Sequence, residues 1–220
     1  MSKKSVIVFE GIEGSCKSHH ISNVSKYLKK KNIKYIKIRE PGGSLNYKKI
    51  RNLILNKKSN FNKNTDLLLY LAARSENISL LKKYYKKKII LIDRFVDSTL
   101  AYQHYGLNVD IKIIRTLNSY LLKNFKIDFT FLNIVSEKNM KKRLKLRKKL
   151  NRYDKFADIF YKRVQNGFIK IYKKNSKKYM KINSNLHLQL TKPAPFNTLT
   201  TFTSLSHPPH HTTLTYTALP

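Results

Sequence analysis

The sequence predicts an α/β fold built on a five-stranded parallel sheet flanked by helices. Three observations lead there. Short apolar runs alternate with stretches of helical period across residues 1–185. A glycine-containing loop follows the first of those runs and opens a helix, a placement typical of parallel sheets that bind phosphate. At 220 residues the chain is also long enough to bury a core without staples.

The elements follow in order. Val6–Glu10 is the first strand; Lys3 and Lys4 precede it, but Val6-Ile7-Val8-Phe9 is too short for the core of a signal peptide. Ser18–Lys30 is a helix with Ile21, Val24, Tyr27 and Leu28 on one face. Ile33–Ile38 is the second strand, and Leu45–Leu55 and Asp66–Tyr85 are helices, the latter strongly apolar from Leu67 to Leu71. Lys88–Asp93 (KIILID) is a buried strand bounded by lysines before and an acid after. Helices are expected at Asp97–Tyr105 and Asp110–Asn124, and the fourth strand at Phe129–Val135. Glu137–Lys149 and Asp154–Lys174 are helices around a basic junction, with Asp154 as the N-cap of the second. Tyr179–Ile182 is short and completes the sheet.

From Leu186 the composition changes. Residues 186–220 hold one charged side chain, Lys192, with five of the six prolines and nine threonines. No helical or strand period runs through them, so a domain at 1–185 and a disordered tail at 186–220 are expected. An out-of-frame extension of a truncated gene would give the same boundary. The tail histidines, among them His207, His210 and His211 in one run, have no Cys or acidic companion to make a metal site.

Forty-six Lys and Arg against twelve Asp and Glu give a net charge of +34. Such a charge attracts polyanions. The lysines, however, sit along most helices and not in one stripe, as AT-biased coding would place them; no dedicated nucleic-acid partner is expected. One cysteine rules out an internal disulfide, and no run approaches the roughly 20 apolar residues of a membrane span. A cytoplasmic protein with no membrane partner is the expectation.

The phosphate loop reads Gly11-Ile12-Glu13-Gly14-Ser15-Cys16-Lys17-Ser18, directly after a strand and opening a helix, which is the context of a Walker A motif. Its backbone N–H groups and the helix dipole favour a polyphosphate there. Lys17 is placed to bridge the β- and γ-phosphates and Ser18 to ligate magnesium. Position 16, however, is Cys16 where the motif has glycine, so a side chain crowds the phosphates and opposes the backbone geometry. Asp93 ends its strand as a Walker B carboxylate does, suited to the same Mg²⁺; a structural ion pair is the plainer alternative.

Arg39 follows the second strand, at the sheet edge where ligands bind, and its planar guanidinium can grip a phosphate by two hydrogen bonds. Pro41-Gly42-Gly43 is a turn that lets backbone approach a ligand. Four blocks, FEGIEGSCKS at 9–18, REPGGS at 39–44, YLAARSE at 70–76 and DRFVDSTLAYQ at 93–103, occur in this order. In them the chain resembles the bacterial thymidylate kinase family, across nearly all of residues 4–183.

The resemblance implies a three-layer P-loop NTPase fold with a short basic lid at about 143–155, carrying Arg143, Lys145, Arg147, Lys148, Lys149, Arg152 and Lys155. It implies ATP-dependent phosphorylation of dTMP to dTDP for dTTP synthesis, with Mg²⁺, and a homodimer. It implies that Arg39 and Arg94 hold the acceptor phosphate and that Glu40 lies near the reacting groups; alone, Glu40 also reads as a solvated loop carboxylate. Tyr70 would stack on the thymine, although an aromatic on a leucine-rich helix packs in a core as readily. Arg74 would reach a polar edge of the base, Ser98, Tyr102 and Gln103 would complete the nucleoside pocket, and Glu13 would meet the sugar 3′-hydroxyl or magnesium. The loop carries no arginine, so the lid supplies it: Lys17, Arg94 and Arg147 or Arg152 are expected around the moving phosphoryl group. Competing readings are a kinase for another nucleoside monophosphate, a homologue impaired by Cys16, and a basic P-loop protein that binds nucleic acid.

Overall fold

In the computed structural model, residues 4–42, 45–147 and 151–185 are described. Five parallel strands stand in the order β2-β3-β1-β4-β5: β1 (Val6–Glu10), β2 (Tyr35–Arg39), β3 (Ile89–Asp93), β4 (Phe129–Ile134) and β5 (Tyr179–Asn183). The central strands are apolar at nearly every position because both faces of the sheet are covered. Val6 and Val8 of β1 join Ile90 and Ile92 of β3 beneath Ile78 and Leu81 of α3 (Lys63–Tyr84). Ile7 and Phe9 point the other way, onto Ile21, Val24 and Leu28 of α1 (Lys17–Lys30). Each such side chain, when fully buried, contributes roughly 1.5–3 kcal/mol. The parallel sheet and its flanking helices agree with the fold expected.

A third apolar cluster fixes the side of the molecule next to the site. Here α7 (Asp158–Lys174) packs Phe160, Val164 and Phe168 against Ala101 and Tyr102. Gly106 and Gly167 permit this approach. A Cβ at Gly106 would stand 2.6 Å from the Phe160 ring, and one at Gly167 would stand 2.6 Å from the ring of Tyr105.

Several boundaries move for identifiable reasons. The second strand starts at Tyr35 and not Ile33, because Ile33 closes α1: with Asn32 at φ 55°, the Asn32 N–H donates to Lys29 O and the Ile33 N–H to Leu28 O, a Schellman stop. Helix α3 begins three residues earlier than expected, since the Asn62 side chain accepts from the N–H groups of Asn64 and Thr65. The expected helix at 97–105 is a short α4 (Val96–Thr99) running into a π-helical turn, Leu100–Gly106. Asp110 caps α5 (Ile111–Leu122), and α6 is shorter than expected (Glu137–Lys145). The helix expected from Asp154 is divided into a 3₁₀ turn, Arg152–Lys155, and α7. Asp154 is not an N-cap. Asn151 holds that place, and Asp154 answers it by accepting from the Asn151 N–H in a capping box.

The expected tail at 186–220 lies outside the described residues, as do Gly43 of the turn, Ser44 of the REPGGS block, and Lys148 and Lys149 of the basic segment. No helix among the described residues is long and apolar enough to cross a membrane.

Candidate functional site

The carboxyl ends of β1, β2 and β3 open onto a cavity of about 390 Å³, in the range of small-molecule sites. Its phosphate end is the loop between β1 and α1. Gly14 lies at φ 69°, and a Cβ there would come within 3.2 Å of Met140 Cα, so α6 rests directly on the loop. Cys16 is the N-cap residue of α1 at φ 61°, ψ 19°, the left-handed region that glycine enters freely. The expectation that this position favours glycine therefore has a direct backbone cause. Lys17 is buried and curls back on the loop, donating to Gly11 O (2.8 Å), Ile12 O (2.8 Å) and Ser15 Oγ (3.2 Å). Burial, then the neighbouring Arg94, pushes its amine down to about 7, against the pull of Asp93, Glu13 and Glu10.

Ser18 Oγ donates to Asp93 Oδ2 at 3.3 Å, while Asp93 Oδ1 is buried with no hydrogen-bond partner among the described residues. A hydroxyl beside a carboxylate with a vacant acceptor atom is a hard, all-oxygen donor set; it fits Mg²⁺, which takes few protein ligands and completes its shell with phosphate and water. Arg39 Nε lies 3.5 Å from Asp93 Oδ2.

Beside the loop, Arg94 takes a left-handed backbone (φ 67°) as β3 ends, held by its N–H donating to Phe9 O. Its guanidinium donates to Gly11 O and to Glu13 Oε1, both at 2.8 Å, and lies 5.2 Å from the centre of the Tyr102 ring. Tyr102 in turn donates its hydroxyl to Glu13. Arg94 and Lys17 hold the buried Glu13 carboxyl below the usual carboxylate range although burial opposes them. Ser98 is bound to Glu10: its hydroxyl donates to Oε2 at 2.5 Å, and the N–H groups of Phe95 and Ser98 donate to Oε1. Glu10 thus serves as a remote cap for α4, and burial with nearby Asp97 raises it to about 7.

The outer wall carries Tyr70, Arg74 and Gln103. Arg74 is fully buried and donates through Nε (2.9 Å) and Nη2 (2.7 Å) to Glu40 Oε2, while Glu40 Oε1 has no hydrogen-bond partner among the described residues. Glu40 is therefore no solvated loop carboxylate. Tyr70 is half-buried on the cavity wall, edge-on to Tyr153 at 6.1 Å between ring centres.

The structure brings Glu13 to Ser18, Arg39, Glu40, Tyr70, Arg74, Asp93, Arg94, Ser98, Tyr102, Gln103 and Arg147 around this one cavity. Gly11 and Ile12 lie beneath it and supply carbonyls to Lys17. Arg152 is the exception. It was expected beside the phosphoryl group, but its guanidinium pairs with the buried Asp66 carboxylate and is absent from the cavity wall. One cavity arginine escaped the sequence reading, Arg51, which donates to Pro41 O; Arg143, expected only as part of the basic lid, donates to Gly14 O at 2.8 Å. A signal was available. The chain has nine arginines among 46 basic residues, and six of the nine (39, 51, 74, 94, 143 and 147) line the cavity. Where coding favours lysine, arginine persists where a planar fork is needed.

Sheet order, loop position and the flanking cavity define the class: a P-loop nucleotide-binding enzyme fold with room for a second substrate beside the phosphates. Comparison with known proteins narrows it. The family model for thymidylate kinase matches residues 9–193. A thymidylate kinase of Thermosipho africanus is 39% identical over 169 residues, covering 76% of this chain and 84% of that protein. The Clostridium novyi thymidylate kinase is 35% identical over 190 residues, with 84% and 93% covered. A crystal structure of thymidylate kinase from Ehrlichia chaffeensis superposes with a TM-score of 0.66 at 32% identity, covering 82% of this chain and 91% of that one. The chain belongs to the thymidylate kinase family.

Proposed function

We propose that this chain transfers the γ-phosphoryl group of ATP to dTMP, giving ADP and dTDP, in a cytoplasmic enzyme that works as a homodimer with residues 1–185 as its catalytic unit. The observation that carries the reading is the division of one cavity into two chemistries. Lys17, Arg94 and the α1 N-terminus gather donors for phosphate, and Tyr70, Arg74 and Gln103 make a partly polar wall, with Tyr102 against Arg94 between the two groups.

In the reaction, an oxygen of the dTMP phosphate attacks the γ-phosphorus in line. The bond from that phosphorus to the β–γ bridging oxygen breaks, and the electron pair leaves on ADP. The protein's work is placement and charge neutralisation. Lys17 exchanges its loop carbonyls for the β- and γ-phosphates. Arg94, already fixed by Gly11 O and Glu13, holds the acceptor phosphate with Arg39. Arg147, on the wall beyond α6, supplies the lid arginine. Tyr70 faces the base, Arg74 and Gln103 read its polar edge, and Glu13 receives the sugar 3′-hydroxyl. Ser18 and Asp93 are the residues to hold Mg²⁺, which neutralises the polyphosphate when bound.

Cys16 favours a second reading, a family member with an impaired loop, because its left-handed backbone and side chain stand where the polyphosphate must lie. ADP release measured across dTMP, dUMP, AMP, CMP and GMP tests both. Turnover confined to dTMP is expected, with a loss of roughly 100-fold or more in kcat for Arg147→Ala. Preference for another monophosphate overturns the acceptor assignment, and no turnover with any of them favours the impaired loop.

A further inference from the structure

Asp66 belongs to none of the motif blocks, yet three side chains from two sides of the cavity converge on it. It sits in the first turn of α3, 2% exposed. From the lid's exit turn, Arg152 Nη2 donates to Oδ1, and the Tyr153 hydroxyl donates to Oδ2 at 2.5 Å. From the π-helical turn on the acceptor side, Gln103 Nε2 donates to Oδ2 at 3.3 Å.

The exit turn is otherwise built to stay put. Asn151 and Asp154 close a capping box, and Arg147 reaches back to Asp154 at 2.9 Å. The Tyr161 hydroxyl donates to Tyr153 O at 2.6 Å. The Arg152 guanidinium also lies 5.4 Å from the centre of the Phe61 ring and 5.0 Å from that of Tyr153. Tyr153 stands edge-on to both Tyr70 and Tyr102. One buried carboxylate therefore joins the base-facing wall to the segment that carries Arg147.

We infer that Asp66 is a positioning residue for phosphoryl transfer: it latches the lid's exit turn through Arg152 and Tyr153 and sets the amide of Gln103 toward the base. The inference rests on the proposed kinase reaction. It also assigns Arg152 the part of latch rather than of phosphate ligand. A largely covered guanidinium, 11% exposed, with its charge met by the buried Asp66 is held away from the phosphates, and losing Arg152 leaves the Asp66 charge buried without its cation. The consequence reaches the reaction because displacing catalytic groups by an ångström costs rate steeply.

The test is steady-state kinetics on the full chain for Asp66→Asn, Arg152→Ala, Arg152→Lys and the Asp66→Asn/Arg152→Ala pair. Each of the first two should lower kcat by roughly tenfold or more, and Asp66→Asn should also raise the KM for dTMP about threefold through Gln103. The pair should be little worse in kcat than Asp66→Asn alone, because that variant already breaks the contact with Arg152. Arg152→Lys, which keeps the charge facing Asp66, should recover to within about threefold of the parent. A fully additive pair, or an Arg152→Lys as slow as Arg152→Ala beside a near-normal Asp66→Asn, overturns the latch and returns Arg152 to the phosphates. Should Asp66→Asn fail to fold, Tyr153→Phe, which removes one bond to the same carboxylate, should still lower kcat with little change in KM for ATP; an unchanged kcat overturns the inference. Should the parent not phosphorylate dTMP, it is the kinase reading that fails. The latch is then read by amide hydrogen exchange at residues 151–155: faster exchange in Arg152→Ala or Tyr153→Phe supports it, and unchanged protection overturns it.

Discussion

Replacing Cys16 with glycine separates two costs that the phosphate loop carries. The first is conformational. Cys16 holds φ 61°, ψ 19°, where an L side chain costs about 1–2 kcal/mol relative to the right-handed basin. Glycine removes that strain but brings back about 0.5–1 kcal/mol through its freer unfolded chain. Among the described residues the thiol's one hydrogen-bond partner is Gly14 O at 3.7 Å, a weak loss. The net expectation is a gain of up to about 1.5 kcal/mol, or up to roughly 6 °C in Tm for a domain of this size. The second cost is crowding, since Cys16 lines the cavity at the mouth of the loop.

The two are read by different assays. Strain is present in the free and the nucleotide-bound loop alike, so it appears in the Tm of the free protein and cancels from KM. Crowding opposes only the bound state, so it appears in the KM for ATP, where a fall of about threefold corresponds to about 0.7 kcal/mol. Thermal melts and ATP titrations of parent and Cys16→Gly, both under reducing conditions, supply the numbers. A lower Tm for the variant refutes the strain argument; an unchanged KM refutes the crowding argument and leaves Cys16 a tolerated substitution.

Two further outcomes follow from buried charges. Glu10 is raised to about 7 in the folded protein, above its ordinary value of 4.5, by burial and then by Asp97, so the folded state binds more protons between those values. Its contribution to stability is complete below about 4.5 and is lost as pH rises through about 7; Tm measured from pH 5 to 8 should therefore fall less in Glu10→Gln, which keeps an acceptor for the Phe95 and Ser98 N–H groups, and parallel curves for the two proteins would count against this. Arg74→Met strands Glu40, which already has one oxygen with no partner among the described residues, and should cost about 3–5 kcal/mol, or roughly 6–20 °C in Tm, with part of the loss recovered when Glu40→Gln is added; a small loss in denaturation melts, or no recovery, would show that the pair is not what holds this wall.

How much of this was legible in the sequence depended on whether the signal was local. The strands were readable because a parallel sheet covered on both faces demands apolar runs such as IILID, and the phosphate loop because its spacing is fixed by the ligand it serves. Boundaries set by one side chain moved: Asn62 extends α3 backward, and Asn32 stops α1 in a left-handed turn that let Ile33 pass for strand. The π-helical turn at Leu100–Gly106 has no one-dimensional period to announce it, yet it brings Tyr102 and Gln103 to one wall. Arg152 shows the deeper difficulty. In sequence it is one more cation in a basic stretch, and only its partner distinguishes it. That partner, Asp66, lies 86 residues away in a helix whose first turn reads as ordinary N-terminal acid.

The acids were the better guide. With twelve carboxylates in the whole chain, five of them (Glu10, Glu13, Glu40, Asp66 and Asp93) are buried, each against a named cation, hydroxyl or backbone N–H of the site or its supports. In a chain whose lysines are mostly solvated, a carboxylate kept in the interior has to be balanced by a specific donor, because an unmatched buried charge costs several kcal/mol. Tracing each acid to its donor assigns Arg94, Arg74 and Arg152 a partner each, which counting arginines does not.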